Sequence, residues 1–131
     1  AGWLRRRGNT VIGLEMDVTC PESIERARRA VTARAGGVDV LVNNAGIVRG
    51  GLFTDVPLDE HLATFEVNTH GPIRVTHAFL PDVLDSPVAH LVNIISASAL
   101  IGLPGASTYA ASKWAVRGMT TVQGMPRRPA A

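Results

Sequence analysis

The chain's single tyrosine, Tyr109, stands four residues before its single lysine, Lys113. In a helix that spacing puts both side chains on one face. A phenol has a pKa near ~10 and is a poor base at neutral pH. A neighbouring ammonium favours the phenolate and draws that pKa toward working pH. Tyr-x-x-x-Lys can therefore act as a proton-transfer unit. The plainer alternative is a tyrosine and a lysine on a solvated helix face, and the surroundings have to decide between the two.

The chain has 131 residues, 46% of them apolar and 18% charged, a composition that suits one small globular domain. Cys20 is the only cysteine, so no intrachain disulfide is expected and a reducing compartment, the cytoplasm, is favoured. No apolar run approaches ~18 residues, and the first residues lack a signal-peptide pattern, so no membrane partner is expected. The net charge is only +2. The high pI reflects an excess of Arg rather than a basic surface for nucleic acid. Arg5, Arg6 and Arg7 read as a solvated helix end before they read as a phosphate contact. Glu22–Arg26 and Glu25–Arg29 have the order that favours helix ion pairs. His61, His70, His77 and His90 have no metal-ligand spacing, so no metal site is expected. Cys20, near a helix start, is either a mildly activated thiol or an inert small residue.

The elements that must carry Tyr109 and Lys113 follow from the pattern. Thr10–Met16 is a β-rich run, followed by Asp17 and Val18. Thr19 and Glu22 predict a capping box with Pro21 in the first turn. The helix that follows carries Ile24, Ala27, Val31 and Ala35 on one face, and Gly36-Gly37 stops it. Val38–Val42 is a nearly all-apolar strand running into Asn43-Asn44-Ala45-Gly46, a segment that could be a plain turn. A glycine-rich loop reaches Gly51, and a long helical stretch is predicted from about Leu58 to Leu84. Leu91–Ile95 is a third strand, ending at Ser96. A loop of small residues, 97–107, leads into the helix of Tyr109 and Lys113. Alternating strands and helices predict a parallel sheet with helices on both faces. Asp17, Asn43 and Ser96 would then meet at the strand ends where such sheets bind ligands.

Asn43-Asn44-Ala45-Gly46 after a strand, Ser96 after the next, and Tyr109-Ala-Ala-Ser-Lys113 thirteen positions on resemble the compact branch of the short-chain dehydrogenase/reductases. The resemblance runs from about Asn9 to Met119. It implies a partial Rossmann-like domain that uses NAD or NADP and moves a hydride between the nicotinamide and an alcohol or carbonyl substrate. It implies that Tyr109 passes a proton to or from the substrate oxygen. Lys113 would lower the Tyr109 pKa and hold the nicotinamide ribose, and Ser96 would hydrogen-bond the substrate, with Ser98 as a competitor for that role. The backbone carbonyl of Asn68 would hold a water in the proton relay. Residue 72 is proline and has no N–H to close a helical bond onto that carbonyl. Pro72 either kinks the helix or divides it in two. Asp17 and Val18 would contact the adenine, and Asn43, Ala45 and Gly46 would shape the adenosine side of the groove. Leu100, Ile101 and Leu103 suggest an apolar pocket wall, and Trp114 is expected to pack. The family commonly forms homo-oligomers through the long helix and the catalytic helix.

No Gly-x-x-x-Gly-x-Gly phosphate turn precedes Asp17, and residues 124–131 read as a disordered tail. The expectation is a partial domain over residues 1–131 with three strands, lacking the family's first two strands and its C-terminal ones. In the family's strand order, Thr10–Met16 would lose its neighbour. It would hang free, pair with Val38–Val42, or pair with another chain, leaving the isolated chain marginal or associated. Two further readings stand beside the enzyme: an inactive piece that associates through its helices, and, more weakly, Arg-driven nucleotide or nucleic-acid binding.

Overall fold

The computed structural model describes residues 10–122, so the Arg5–Arg7 run and the 124–131 segment lie outside the described residues. Helix α1 (Pro21–Ala35) begins with proline in its first turn and with Cys20 as its N-cap. The expected Thr19–Glu22 box does not form. Pro21, pre-set for the first helical position, makes Cys20 the cap residue in place of Thr19. Thr19 turns back instead, its N–H and hydroxyl each donating to Asp17 Oδ1 at 2.8 Å. Cys20 Sγ donates to Glu22 at 3.2 Å, and the Arg26 charge favours the ionised Glu22 carboxyl without a hydrogen bond between them. Glu25 holds both Arg28 and Arg29, at 3.0 and 2.8 Å. Ile24 and Ala27 are buried and Val31 half-buried, whereas Ala35 is exposed. Gly36 ends the helix at φ 82°, a left-handed conformation that suits glycine.

Strands β1 (Val40–Asn43) and β2 (His90–Asn93) pair in parallel, with Val40 opposite His90 and Asn43 opposite Asn93. Among the described residues these are the only two strands of the sheet, and the expected third, Thr10–Met16, forms none. Of the three outcomes open to that run, it does not pair with β1. A strand without a bonded neighbour gains no ladder and buries neither face, and Ile12, Leu14 and Met16 remain exposed.

Helix α2 (Leu58–Phe65) continues through one π-turn (Glu66–His70) into α3 (Gly71–Asp85). The predicted helical stretch is therefore present but rewound at its middle. The Gly71 N–H reaches the carbonyl of Glu66, five residues back. Pro72, which has no N–H to give the Asn68 carbonyl, follows the widened turn directly. Glu66 clasps the turn, bonded to His70 at 2.7 Å and to Arg74 at 2.6 Å.

Ile24, Leu41, Val75, Phe79 and Val83 form the core between α1, β1 and α3, and Arg28 reaches Asp82 at 3.5 Å across the same pair of helices. Helix α4 (Ser107–Val122) packs on α2, the π-turn and β2. Leu41 and Asn43 point into the helices, while Val40 and Val42 are 49% and 50% exposed on the opposite face. Among the described residues the sheet is thus covered on one face, where the sequence pattern predicts both. Strands this apolar need cover on both sides, and no described helix supplies the second layer.

Candidate functional site

Tyr109 and Lys113 both lie on α4. The Lys113 ammonium sits 5.9 Å from the centre of the Tyr109 ring, close enough for a cation–π attraction. Lys113 is only 6% exposed, and a buried ammonium needs acceptors. It donates to the Ile94 carbonyl at 3.1 Å, just beyond β2.

Gly46 stands against the same group. A Cβ built on it would lie 3.4 Å from Lys113 Nζ and 3.2 Å from Asn68 Oδ1. Only a residue without a side chain leaves that approach open. The loop after β1, the π-turn and α4 therefore converge on one point.

Asn68 is fully buried. Its side chain pairs with the backbone of Ile47 in both directions, accepting from the N–H at 2.8 Å and donating to the carbonyl at 2.8 Å. It also donates to Ser112 Oγ at 3.1 Å, and the Ser112 hydroxyl donates to the Tyr109 carbonyl at 2.7 Å. The Asn68 side chain thus links the Gly46–Ile47 loop to the first turns of α4. The family resemblance draws attention to this residue's backbone carbonyl and gives no hint of that link. Ser112 is also new, and its only sequence signal is a place one turn after Tyr109.

Ser96 opens a short 3-10 turn, Ala97–Ala99. Its Oγ accepts the Ser98 N–H at 3.2 Å, and its hydroxyl lies 3.3 Å from Ser98 Oγ. Ser98 is 3% exposed and Ser96 is the more open of the two. The structure places Ser98 beneath Ser96 as its partner. Trp114 does more than pack: it is half-exposed and its indole N–H donates to the Ser98 carbonyl at 2.9 Å. His61, between the Phe53 carbonyl at 3.1 Å and Thr108 Oγ1 at 2.6 Å, stacks on Phe53 and ties the loop before α2 to the start of α4.

The residues expected at the adenosine side divide. Asn43 is 8% exposed, and its Nδ2 donates to Thr76 Oγ1 at 2.9 Å and to Asn93 Oδ1 at 2.8 Å. Its side chain is committed to the interior. Val18, Asn43 and Ala45 share the lining of a cavity of about 160 Å³ beside β1. Asp17 stands outside that lining and is exposed. The N–H and hydroxyl of Thr19 hold its carboxyl below the usual carboxylate range. Asp17 does not sit at a strand end, because the run before it is no strand. Among the described residues no group of three His, Cys, Asp or Glu could hold a metal ion, and no helix is long and apolar enough to cross a membrane.

Comparison with known proteins bears on this arrangement. Residues 2–129 match the family described as short chain dehydrogenase. An uncharacterized oxidoreductase, YusZ of Bacillus subtilis, is 41% identical over 80% of this chain and 37% of its own length. The 3-oxoacyl-[acyl-carrier-protein] reductase FabG of Vibrio cholerae is 36% identical over 86% of this chain and 46% of its own. The solved structure of a short chain dehydrogenase/reductase from Burkholderia phymatum in complex with NAD superposes with a TM-score of 0.86. It is 32% identical, over 92% of this chain and 43% of that one. The chain thus spans less than half the length of these relatives, and its fold is part of their Rossmann-like α/β domain. The chain belongs to the short-chain dehydrogenase family.

Proposed function

We propose that this chain is the catalytic-residue portion of an NAD- or NADP-dependent oxidoreductase acting on a small secondary alcohol or the corresponding carbonyl. The observation that carries the reading is the buried Lys113 ammonium beside the Tyr109 ring, on a helix that also contacts the segment bearing Ser96. The donor set fits a nicotinamide nucleotide. Lys113 has three N–H donors, and Ile94 engages one of them. The others suit ribose hydroxyls, next to the space that Gly46 leaves open.

When bound, the cofactor supplies the hydride acceptor or donor. The chain's own residues do the rest. The Tyr109 hydroxyl passes a proton to or from the substrate oxygen, and the Lys113 charge stabilises the negative charge that develops on the phenol oxygen. Ser96 Oγ hydrogen-bonds the same substrate oxygen and fixes its direction. The Asn68 carbonyl, which Pro72 cannot engage, holds a relay water. Asp17 and Val18 contact the adenine, and Asn43, Ala45 and Gly46 form the adenosine side, Asn43 through its backbone because its side chain is committed. A reducing, cytoplasmic setting and a homo-oligomer suit this reading.

The test is a titration with NADH followed by fluorescence, with turnover of secondary alcohols in parallel. Binding is expected, together with loss of turnover by about 10²-fold or more in Tyr109→Phe. Turnover surviving that change overturns the role given to Tyr109.

A second reading has its own observation. Val40, Val42, Val92 and Ile94 lie between 37% and 50% exposed, which favours a piece that associates and does not catalyse. It predicts size growth in light scattering without NADH binding.

A further inference from the structure

Ser96 stands at the head of a 3-10 turn of only three residues. Such turns have poor hydrogen-bond geometry and do not hold themselves firmly. The turn uses its own N–H groups internally: Ala99 donates to the Ser96 carbonyl at 2.8 Å, and Leu100 to that of Ala97 at 2.9 Å. The carbonyls of Ser98 and Ala99 take their partners from α4. Trp114 Nε1–H donates to the Ser98 carbonyl at 2.9 Å, and Arg117 Nη1–H to the Ala99 carbonyl at 3.1 Å. Both carbonyls belong to residues that are 3% exposed or less. The Arg117 guanidinium also lies 5.5 Å over the Trp114 ring, a cation–π contact that steadies the indole plane.

Lys113 grips the Ile94 carbonyl on the other side of Ser96. Lys113, Trp114 and Arg117, with Arg117 four residues after the first and three after the second, thus hold the chain on both sides of Ser96.

We infer that Trp114 and Arg117 are positioning residues for Ser96. They clamp the Ala97–Ala99 turn to the helix that carries Tyr109, and so fix the Ser96 hydroxyl relative to the Tyr109 hydroxyl. The inference rests on the proposed function for its catalytic meaning, but the clamp itself has an independent readout.

Trp114→Phe keeps the ring and removes the donor. Arg117→Met keeps the stem and removes the other donor. Amide hydrogen exchange by NMR reads the Ser98 N–H, which bonds Ser96 Oγ. Either variant is expected to speed its exchange about tenfold, with the α1 amides unchanged. An unchanged Ser98 rate overturns the clamp, and faster exchange in α1 as well makes the role merely structural and overturns it too. In a preparation that turns over, kcat is expected to fall several-fold with the cofactor KM unchanged. An unmoved kcat alongside faster Ser98 exchange overturns the positioning of Ser96. Absence of any turnover in the unmodified protein counts against the proposed function, while the exchange rates still decide the clamp.

Discussion

Asn43 and Asn93 face each other as register partners at the C-terminal ends of β1 and β2, and Asn43 Nδ2 donates to Asn93 Oδ1 at 2.8 Å. The pair continues on both sides. Asn43 also donates to Thr76 on α3, and Asn93 donates to Thr120 on α4 at 2.9 Å. One line of amides and hydroxyls therefore ties two strands to two helices at the edge where the site forms. Asn43 is the buried member, so its loss leaves polar partners unsatisfied inside the fold. Asn43→Ala is expected to lower stability by about 1–3 kcal/mol, read as a lower urea midpoint at unchanged slope. Asn93→Ala is expected to cost less, because Asn93 is half-exposed and water can replace it.

Gly71 makes a second tie, between α3 and the segment that precedes α1. A Cβ on it would lie 2.9 Å from Val18 Cγ2 and 3.2 Å from Val18 Cβ. A β-branched side chain cannot swing aside at low cost. Alanine would gain up to ~1 kcal/mol of helix propensity, but overpacking of this kind costs about 1–3 kcal/mol. Gly71→Ala is therefore expected to be destabilising on balance, and a thermal midpoint at or above that of the unmodified chain contradicts the close approach.

Acid sensitivity should have a contribution from Glu25. Hydrogen bonds from Arg28 and Arg29 lower its carboxyl from 4.5 to about 2. A carboxyl with a depressed folded-state pKa favours folding above its unfolded value, and that contribution is lost as pH falls from about 4.5 toward 2. Glu25→Gln should flatten stability against pH across that window and leave its slope above pH 5 unchanged. The effect should shrink in high salt, because the pair is exposed. A profile identical to that of the unmodified chain argues against the ion pairs.

The legible parts of this molecule are those fixed within a turn or two of chain. The Tyr109–Lys113 spacing suffices to place both on one helix face, and the Gly36 stop and the Pro72 disturbance are equally local. The parts that escape depend on distant neighbours. Thr10–Met16 has strand-forming residues, but a strand exists only where a ladder partner lies alongside. The Thr19–Glu22 pattern is a sound capping signal, overridden when Pro21 sets the helix start one residue later. Asn43 reads as a turn former or a cofactor contact, and its side-chain partners lie 33 and 50 positions away. The Trp114 and Arg117 contacts with the 97–99 turn are invisible in spacing, because they are made to backbone carbonyls whose direction only the folded turn sets.

Gly46 offers a direct probe of the site. Its approach to Lys113 Nζ and Asn68 Oδ1 leaves 3.4 and 3.2 Å for a Cβ. The Lys113 stem can shift by a few tenths of an ångström, but Asn68 is pinned by its bonds to Ile47 and Ser112. Gly46→Ala should therefore press first on Asn68 and strain its link between Ile47 and Ser112, with the ammonium displaced less. The expected result is a lowered melting temperature, because overpacking against a buried, bonded side chain costs about 1–3 kcal/mol, together with NADH binding weakened about tenfold. Unchanged NADH affinity would separate Gly46 from the cofactor groove.

The open face of the sheet yields the last prediction. Val40 and Val42 are about half-exposed on the side away from the helices, and Val92 and Ile94 are also exposed. Apolar residues adjacent on paired strands form one patch, and among the described residues β1 has a bonded neighbour on one edge only. An apolar patch beside an unpaired edge favours association over a monomer. The isolated chain is expected to grow in size with concentration, measured by light scattering from micromolar upward. Val42→Lys places a charge in the middle of the patch without touching the Leu41–Asn43 side, so it should shift growth to higher concentration while the helical circular dichroism is kept. A dilute monomer with a sharp cooperative melt, indifferent to Val42→Lys, would show that the one-sided sheet is stable alone.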